Sequence, residues 1–216
     1  ELKARYQNCL LFFRLGDFYE MFFEDAERAS QLLGLTLTAR ESGTATKAPM
    51  CGVPYHSAQS YIAKLLKLGE KVALCEQMED PRQVRGLVKR DVVRVLTPGT
   101  LVESDLLAER VNNYLSAVAG TPAEFGLASV DLSTGEFMAT AYAGRTALED
   151  VRDELLRLQP AECLATRDVI TSLQLASHNS TAVDDVPSPM DAKASLQRHF
   201  QIASLTAFGC EDRPVI

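Results

Sequence analysis

The spacing of apolar residues along the chain predicts two successive segments of mixed strands and helices. Leu10 to Leu15 is a nearly unbroken apolar run followed by Gly16-Asp17, the signature of a short buried strand that ends in a turn. Asp17 has the character of a helix N-cap. After it, Tyr19, Phe22, Phe23, Ala26, Ala29 and Leu33 recur at three- and four-residue spacing, which predicts an amphipathic helix that stops at Gly34. Leu35 to Thr38 alternates like a strand, and residues 41–56, rich in Ser, Gly, Thr and Pro, read as a loop. A second helix is predicted from Ser57 to Leu68, with Tyr61, Ile62, Leu65 and Leu66 on one face and Gly69 closing it. Val72–Gln77 and Asp91–Leu96 read as strands, the second stopped by Thr97-Pro98-Gly99. This order predicts a compact mixed α/β unit of about 100 residues.

A polar stretch from Glu103 to Asn113 separates that unit from a new pattern. Tyr114–Ala119, Phe125–Leu132 and Glu136–Tyr142 read as three strands, the last two joined through Ser133-Thr134-Gly135 as a hairpin. Thr146 and Glu149 have the spacing of a capping box ahead of Leu148, Val151, Leu155 and Leu158, so a helix is expected there, ended by Pro160. Glu162–Ala165 reads as a further strand, residues 176–190 as loop, and Asp191–Leu205 as a helix. The boundary between the two halves falls between about 100 and 112. No internal repeat or low-complexity tract interrupts the pattern.

Length and composition narrow the class. A chain of 216 residues suits one large domain or two of roughly 100–110 each. An apolar content of 46 % is that of an ordinary globular protein, and no run of about 18 apolar residues is present to span a membrane. Without a charged-then-apolar leader, secretion is not expected, and a chain running from Glu1 to Ile216 reads as an excised piece of a longer one. Five scattered cysteines with no C-x-x-C pair point to a reducing compartment and a packing role. His56, His178 and His199 are too dispersed for a metal site, and none is expected. The net charge of −7 hides unlike halves: residues 1–100 carry 14 basic against 12 acidic residues, and residues 101–216 carry 8 against 17. Arg82, Arg85, Lys89, Arg90 and Arg94 meet only Asp91 between them. The first half can therefore tolerate a polyanion and the second avoids one, although such a run is also what a solvated face looks like.

The most informative stretch is Phe13-Arg14-Leu15-Gly16-Asp17-Phe18-Tyr19-Glu20, which sets an aromatic ring and a carboxylate two positions apart at the expected mouth of a helix. An exposed ring can push between stacked bases, as apolar wedges do when they bend a duplex from the minor groove. The neighbouring carboxylate can test the hydrogen-bonding edge of the base that yields. Taken alone, Phe18 reads more readily as helix-start packing than as a wedge. Tyr19, Phe22 and Phe23 read as core, Cys51 and Cys75 as inert packing, and His56 as a structural hydrogen-bonder. The chain lacks a G-x-x-x-x-G-K-S/T phosphate loop, so nucleotide hydrolysis is not expected within it.

Ordered motifs run along the first half: Leu11 to Glu20, Pro49-Met50-Cys51-Gly52-Val53-Pro54-Tyr55-His56, Cys75-Glu76-Gln77, Asp80-Pro81, and Val92 to Thr100. Together they resemble the bacterial MutS mismatch-repair family. Phe125 to Phe137 is similar to the opening of that family's connector domain, and the likeness weakens after about residue 145. Residues 41–48 and 82–90 follow a version of their own, with Glu41-Ser42-Gly43-Thr44 and Arg82-Gln83-Val84-Arg85.

The resemblance implies an α/β fold of two domains. A mixed-sheet mismatch-binding domain would span residues 1–102, a linker residues 103–112, and a ribonuclease H-like connector residues 113–216. It further implies that Phe18 is the wedge that stacks on a mispaired or unpaired base and that Glu20 hydrogen-bonds this base. Leu15, Met50 and Arg90 would lie near the DNA, with Arg90 on a phosphate. The implied partners are double-stranded DNA with mismatches or small insertion/deletion loops, MutL at the connector, and a second subunit in a dimeric clamp. No cofactor is implied for this segment, since ATP and Mg belong to a distant C-terminal domain of the family. The implied setting is the bacterial cytosol, at the nucleoid. Two other readings compete. One is a pure interaction module centred on the acidic connector half. The other is a nuclease using Asp131 and Glu136, for which two-metal chemistry needs more carboxylates than this pair.

Overall fold

A computed structural model of the chain describes residues 2–41, 47–79, 89–102, 111–176 and 179–210. The chain divides into two compact units, Glu1–Leu106 and Leu107–Ile216. In the first, α1 (Leu2–Arg5), β1 (Leu10–Leu15), β2 (Phe18–Phe22), α2 (Phe23–Leu33), β3 (Thr38–Glu41) and β4 (Lys47–Pro54) are followed by a 3-10 turn, Tyr55–Ser57. Then come α3 (Ala58–Lys67), β5 (Val72–Gln77), β6 (Arg90–Leu96) and a 3-10 turn, Pro98–Thr100. The strands form one six-stranded sheet in the order β3-β4-β2-β1-β5-β6, in which only β1 and β5 run parallel.

Strand alternation sorts side chains onto two faces of this sheet. On one face Phe12, Tyr19, Met21, Cys51, Val53 and Val72 are buried, and α2 and α3 pack with Ala26, Ala29, Ile62, Leu65 and Leu66. On the other, Cys9, Leu11 and Ala73 form a smaller buried cluster that Leu2, Tyr6, Phe13 and Val92 cover. Asp25 on α2 ties these parts together. Its carboxylate accepts the Leu11 N–H at 3.1 Å and pairs with Lys3 of α1 at 2.6 Å. The Leu11 donor lies beyond the part of β1 that β2 reaches, so without Asp25 a buried N–H would be left unpaired.

Four expectations for this unit are corrected. The helix read from Asp17 is a strand as far as Phe22, with α2 starting only at Phe23. Alternation wins because Phe18 to Phe22 pair with β4 and Phe18 to Glu20 pair with β1 as well. Phe23 makes the transition at φ 54° and is 62 % exposed, so it is not core. The loop read over residues 41–56 is overturned for Lys47–Pro54, which is an eight-residue strand. Its prolines are tolerated by position: Pro49 lies past the end of β2 and Pro54 is the last residue of the strand. Leu35–Thr38 contributes only its last residue to β3. Residues 42–46 and 80–88, with Arg82 and Arg85, lie outside the described residues.

The second unit contains β7 (Tyr114–Thr121), β8 (Glu124–Asp131), β9 (Glu136–Ala143), α4 (Ala147–Leu158), β10 (Glu162–Ala165), α5 (Arg167–Leu173), β11 (Ser180–Ala182), α6 (Pro189–Phe200) and a 3-10 turn, Thr206–Phe208. Its five-stranded sheet runs β11-β10-β7-β8-β9, antiparallel through β7, β8 and β9 and parallel through β7, β10 and β11. Val118, Phe125 and Leu127 bury against Ala147, Val151 and Leu155 of α4 and Val169 and Leu173 of α5. The mixed α/β class expected of both halves is the class the chain adopts. Thr146 precedes α4 as expected, but its side chain makes no capping hydrogen bond. Within residues 176–190, Ser180–Ala182 adds a short strand, and the last helix runs from Pro189 only to Phe200. No helix among the described residues is long and apolar enough to cross a membrane.

Candidate nucleic-acid interface

Phe18 and Glu20 stand on β2, immediately after the hairpin turn Gly16-Asp17 and not at a helix mouth. Gly16 has φ 58°, so glycine leads a two-residue turn and lets β1 reverse directly into β2. Leu15 pairs with Phe18, and Phe13 with Glu20. Across the other edge of β2, Phe18 pairs with Pro54, Glu20 with Gly52 and Phe22 with Met50. Directly opposed residues of antiparallel strands share a face. Leu15, Phe18, Glu20, Phe22 and Met50 therefore share the sheet face that α2 and α3 leave uncovered. Phe18 is 47 % exposed there, while the Phe13 and Phe22 rings meet edge-on at 5.9 Å behind it.

Gly52 shapes the surroundings of the carboxylate. A Cβ at this position would lie 3.3 Å from the Tyr19 carbonyl oxygen and 3.5 Å from Glu20 Cγ, so glycine leaves room for the Glu20 side chain across β4. Arg90 is further along the same face. It pairs with Gln77 on β5, two residues beyond Cys75, which is level with Phe13. At the usual strand spacing it sits three strands from Phe18, about 14 Å across the sheet. The Arg90 Nε is buried with no hydrogen-bond partner among the described residues. Burial pushes the Cys75 thiol up to about 11, against the lowering pull of the Arg90 guanidinium. Lys89 and Arg94 are exposed. His56, expected to be a structural hydrogen-bonder, is exposed in the turn after β4, and its ring makes no hydrogen bond to a described residue.

The face thus presents one projecting ring with Leu15 beside it, one carboxylate and, farther off, Met50 level with Phe22 and the Arg90 guanidinium. Spacing in the sequence singles out Phe18 and Glu20 but not Arg14, on the other arm of the hairpin, nor Gly52 or Tyr55, which reach the hairpin only through pairing with β4 and the turn after it. In the second unit, Asp131 and Glu136 are occupied in the fold. Asp131 accepts hydrogen bonds from the Ser133 hydroxyl at 2.6 Å, the Ser133 N–H at 2.9 Å and the Asn113 N–H at 3.0 Å. Glu136 accepts from the Tyr114 hydroxyl at 2.8 Å and the Asn112 amide at 3.2 Å. Among the described residues no group of three or more His, Cys, Asp or Glu side chains is placed to hold a metal ion.

Comparison with known proteins agrees with this division. A family model described as MutS domain I matches residues 1–105, and one described as MutS domain II matches residues 113–216. The chain is 48 % identical to the DNA mismatch repair protein MutS of Syntrophomonas wolfei over 97 % of its length and 25 % of the relative's. It is 47 % identical to the protein of that name from Symbiobacterium thermophilum, over 98 % of the chain and 25 % of the relative. With the one from Halothermothrix orenii it shares 45 % identity, over 99 % and 24 %. The chain thus spans about a quarter of the length of the curated relatives it matches. Matched along both units, the chain belongs to the MutS family of DNA mismatch repair proteins.

Proposed function

We propose that this chain is the mismatch-reading part of a longer repair protein and that Phe18 is its wedge. In this reading residues 1–102 recognise DNA, residues 103–112 link, and residues 113–216 connect to the remainder. The Phe18 ring enters from the minor groove and stacks on a mispaired base, or on the extra base of a small insertion/deletion loop, while Glu20 hydrogen-bonds that base. Leu15 and Met50 line the approach and Arg90 meets a phosphate. The segment binds and does not catalyse. ATP and Mg act in a distant part of the longer protein, which works in the bacterial cytosol as a dimer closed around DNA.

The observation that carries this reading is the exposure of Phe18 at the hairpin edge, on the open sheet face that also holds Glu20. A mismatched step stacks and pairs poorly, so it opens at lower cost than a matched one. Unstacking costs about a few kcal/mol per step, least for mispaired bases. A ring that tests deformability therefore serves many mismatches without reading each one. Base–aromatic stacking is worth about 1–3 kcal/mol, so Phe18→Ala should cost that much affinity for a G·T duplex and little for a matched one, with the melting midpoint unchanged. Fluorescence anisotropy on the two duplexes and a thermal melt decide it. An unaltered preference, or a variant that unfolds, sinks the wedge.

A second reading, an interaction module that docks MutL through residues 113–216, is favoured by one observation. Phe137, Phe200 and Phe208 form an exposed aromatic group there, with ring centroids 6.4 and 6.2 Å apart. Both roles can coexist in one chain. Duplex binding by residues 1–102 and by residues 113–216, measured separately, apportions them.

A further inference from the structure

The hairpin tip that carries Phe18 is held from behind by residues to which spacing assigns no role. Phe18 pairs with Pro54, which has no N–H to give to the ladder. The next donor along, the Tyr55 N–H, instead bonds the Asp17 carbonyl at 2.8 Å, tying down the residue before Phe18. The residue after it, Tyr19, points to the opposite face and is 5 % exposed. Its ring lies 6.0 Å from Phe12 and 5.6 Å from the same Tyr55, and its hydroxyl donates to the Glu76 carboxylate on β5. Arg14, directly opposite Tyr19 in the β1–β2 register, lays its guanidinium over the Tyr55 ring at 3.4 Å. One Arg14 nitrogen, Nη1, is buried with no hydrogen-bond partner among the described residues, so stacking makes up much of its hold.

We propose that Arg14, Tyr19, Tyr55 and Glu76 form a clasp that positions Phe18 by backing the hairpin tip against the load of an entering ring. This rests on the wedge reading and deepens it. A ring driven between bases pushes its strand end toward the opposite sheet face, because side chains stand perpendicular to the sheet. On that face lies the clasp, gripping the residues on both sides of Phe18. The Tyr19 hydroxyl and Glu76 bridge β2 to β5 across β1, so the tip cannot tilt without breaking a charge-assisted bond. Without that bond the ring would still meet DNA but would yield instead of prising the step apart.

The test uses the full-length protein bearing Tyr19→Phe, Glu76→Ala, Glu76→Gln or Phe18→Ala, with a duplex carrying 2-aminopurine beside the mismatch to report unstacking. Tyr19→Phe keeps the buried ring and removes only the hydroxyl. Tyr19→Phe and Glu76→Ala should leave the melting midpoint and matched-duplex affinity near wild type. They should lower the mismatch-to-matched ratio by about 2- to 10-fold, the range one hydrogen bond is worth, and dim the 2-aminopurine signal. Glu76→Gln keeps an acceptor for the hydroxyl and should restore both. If Tyr19→Phe and Glu76→Ala retain the wild-type ratio and signal while Phe18→Ala loses them, the clasp is overturned and the wedge stands. Equal weakening on both duplexes with a lowered midpoint also overturns the clasp, leaving it a purely structural cluster. A Phe18→Ala variant with full preference removes the wedge reading and the clasp with it.

Discussion

In the proposed reading, a carboxylate two residues from the wedge is a poor neighbour for phosphates, and that is its use. Glu20 shares the open face with Phe18, opposite Phe13 and Gly52. On matched DNA, in that reading, its charge would oppose the backbone, and a base edge that has come free to donate a hydrogen bond would offset the penalty. Removing one charge about 10 Å from a phosphate is worth roughly 0.4–1.7 kcal/mol for effective dielectric constants from 80 down to 20. Glu20→Gln should therefore tighten matched-duplex binding by about that amount, and the gain should shrink as salt is raised. A salt titration of both proteins on homoduplex checks it, and unchanged homoduplex affinity would end the idea. Phe18 and Glu20 were legible in the sequence as candidates because their motif carries them. Gly52 was not, since nothing in a linear reading says which glycine will face which carboxylate.

Local pattern and pairing disagree most between residues 17 and 34. Tyr19, Phe22, Phe23 and Ala26 satisfy helical spacing, while Phe18 to Phe22 equally satisfy alternation. Two-sided pairing selects the strand, and the helical spacing proves to span two elements. β4 was hidden for a related reason: its prolines and glycine look like loop chemistry until the ends of β2 and β3 show where a donor is dispensable. The β8–β9 hairpin is a case where linear reading suffices, because Ser133-Thr134-Gly135 lies between two alternating runs. Asp131, 1 % exposed, caps that turn. Burial alone would raise its carboxyl, but hydrogen bonds from the Ser133 hydroxyl and the Asn113, Ser133 and Thr134 backbone outweigh it and hold the group below the usual aspartate range. A depressed acid stabilises the fold above its unfolded value of about pH 4 and loses that contribution as pH falls through the folded one. Asp131→Asn should thus cost about 1–3 kcal/mol at pH 7, with the gap to wild type closing as pH drops below about 4. Thermal midpoints of both proteins between pH 7 and pH 3 test this, and a gap that widens in acid would contradict it.

For the whole molecule, charge asymmetry and the division into two units tell the same story. The half with balanced charge holds the open sheet face, and the acidic half is the unit that a polyanion would shun. If the wedge works inside a dimeric clamp, the clamp supplies much of the affinity through effective concentration, and the 216-residue chain alone lacks it. We expect this chain in isolation to bind G·T and matched duplexes weakly and with little preference, and the full-length protein to separate them. Anisotropy titrations of both proteins test this, and nanomolar mismatch selectivity by the isolated chain would show that the clamp is dispensable. The family and the mixed α/β class of both halves were determined by the sequence itself, since ordered motifs and hydrophobic period survive in one dimension. Which residues share a face was decided only in three dimensions. A side chain's direction depends on strand register, and register is set by partners distant in the chain: Leu15, Met50 and Arg90 reach one surface with Phe18, and Tyr55 the back of its hairpin, only once the six strands have paired.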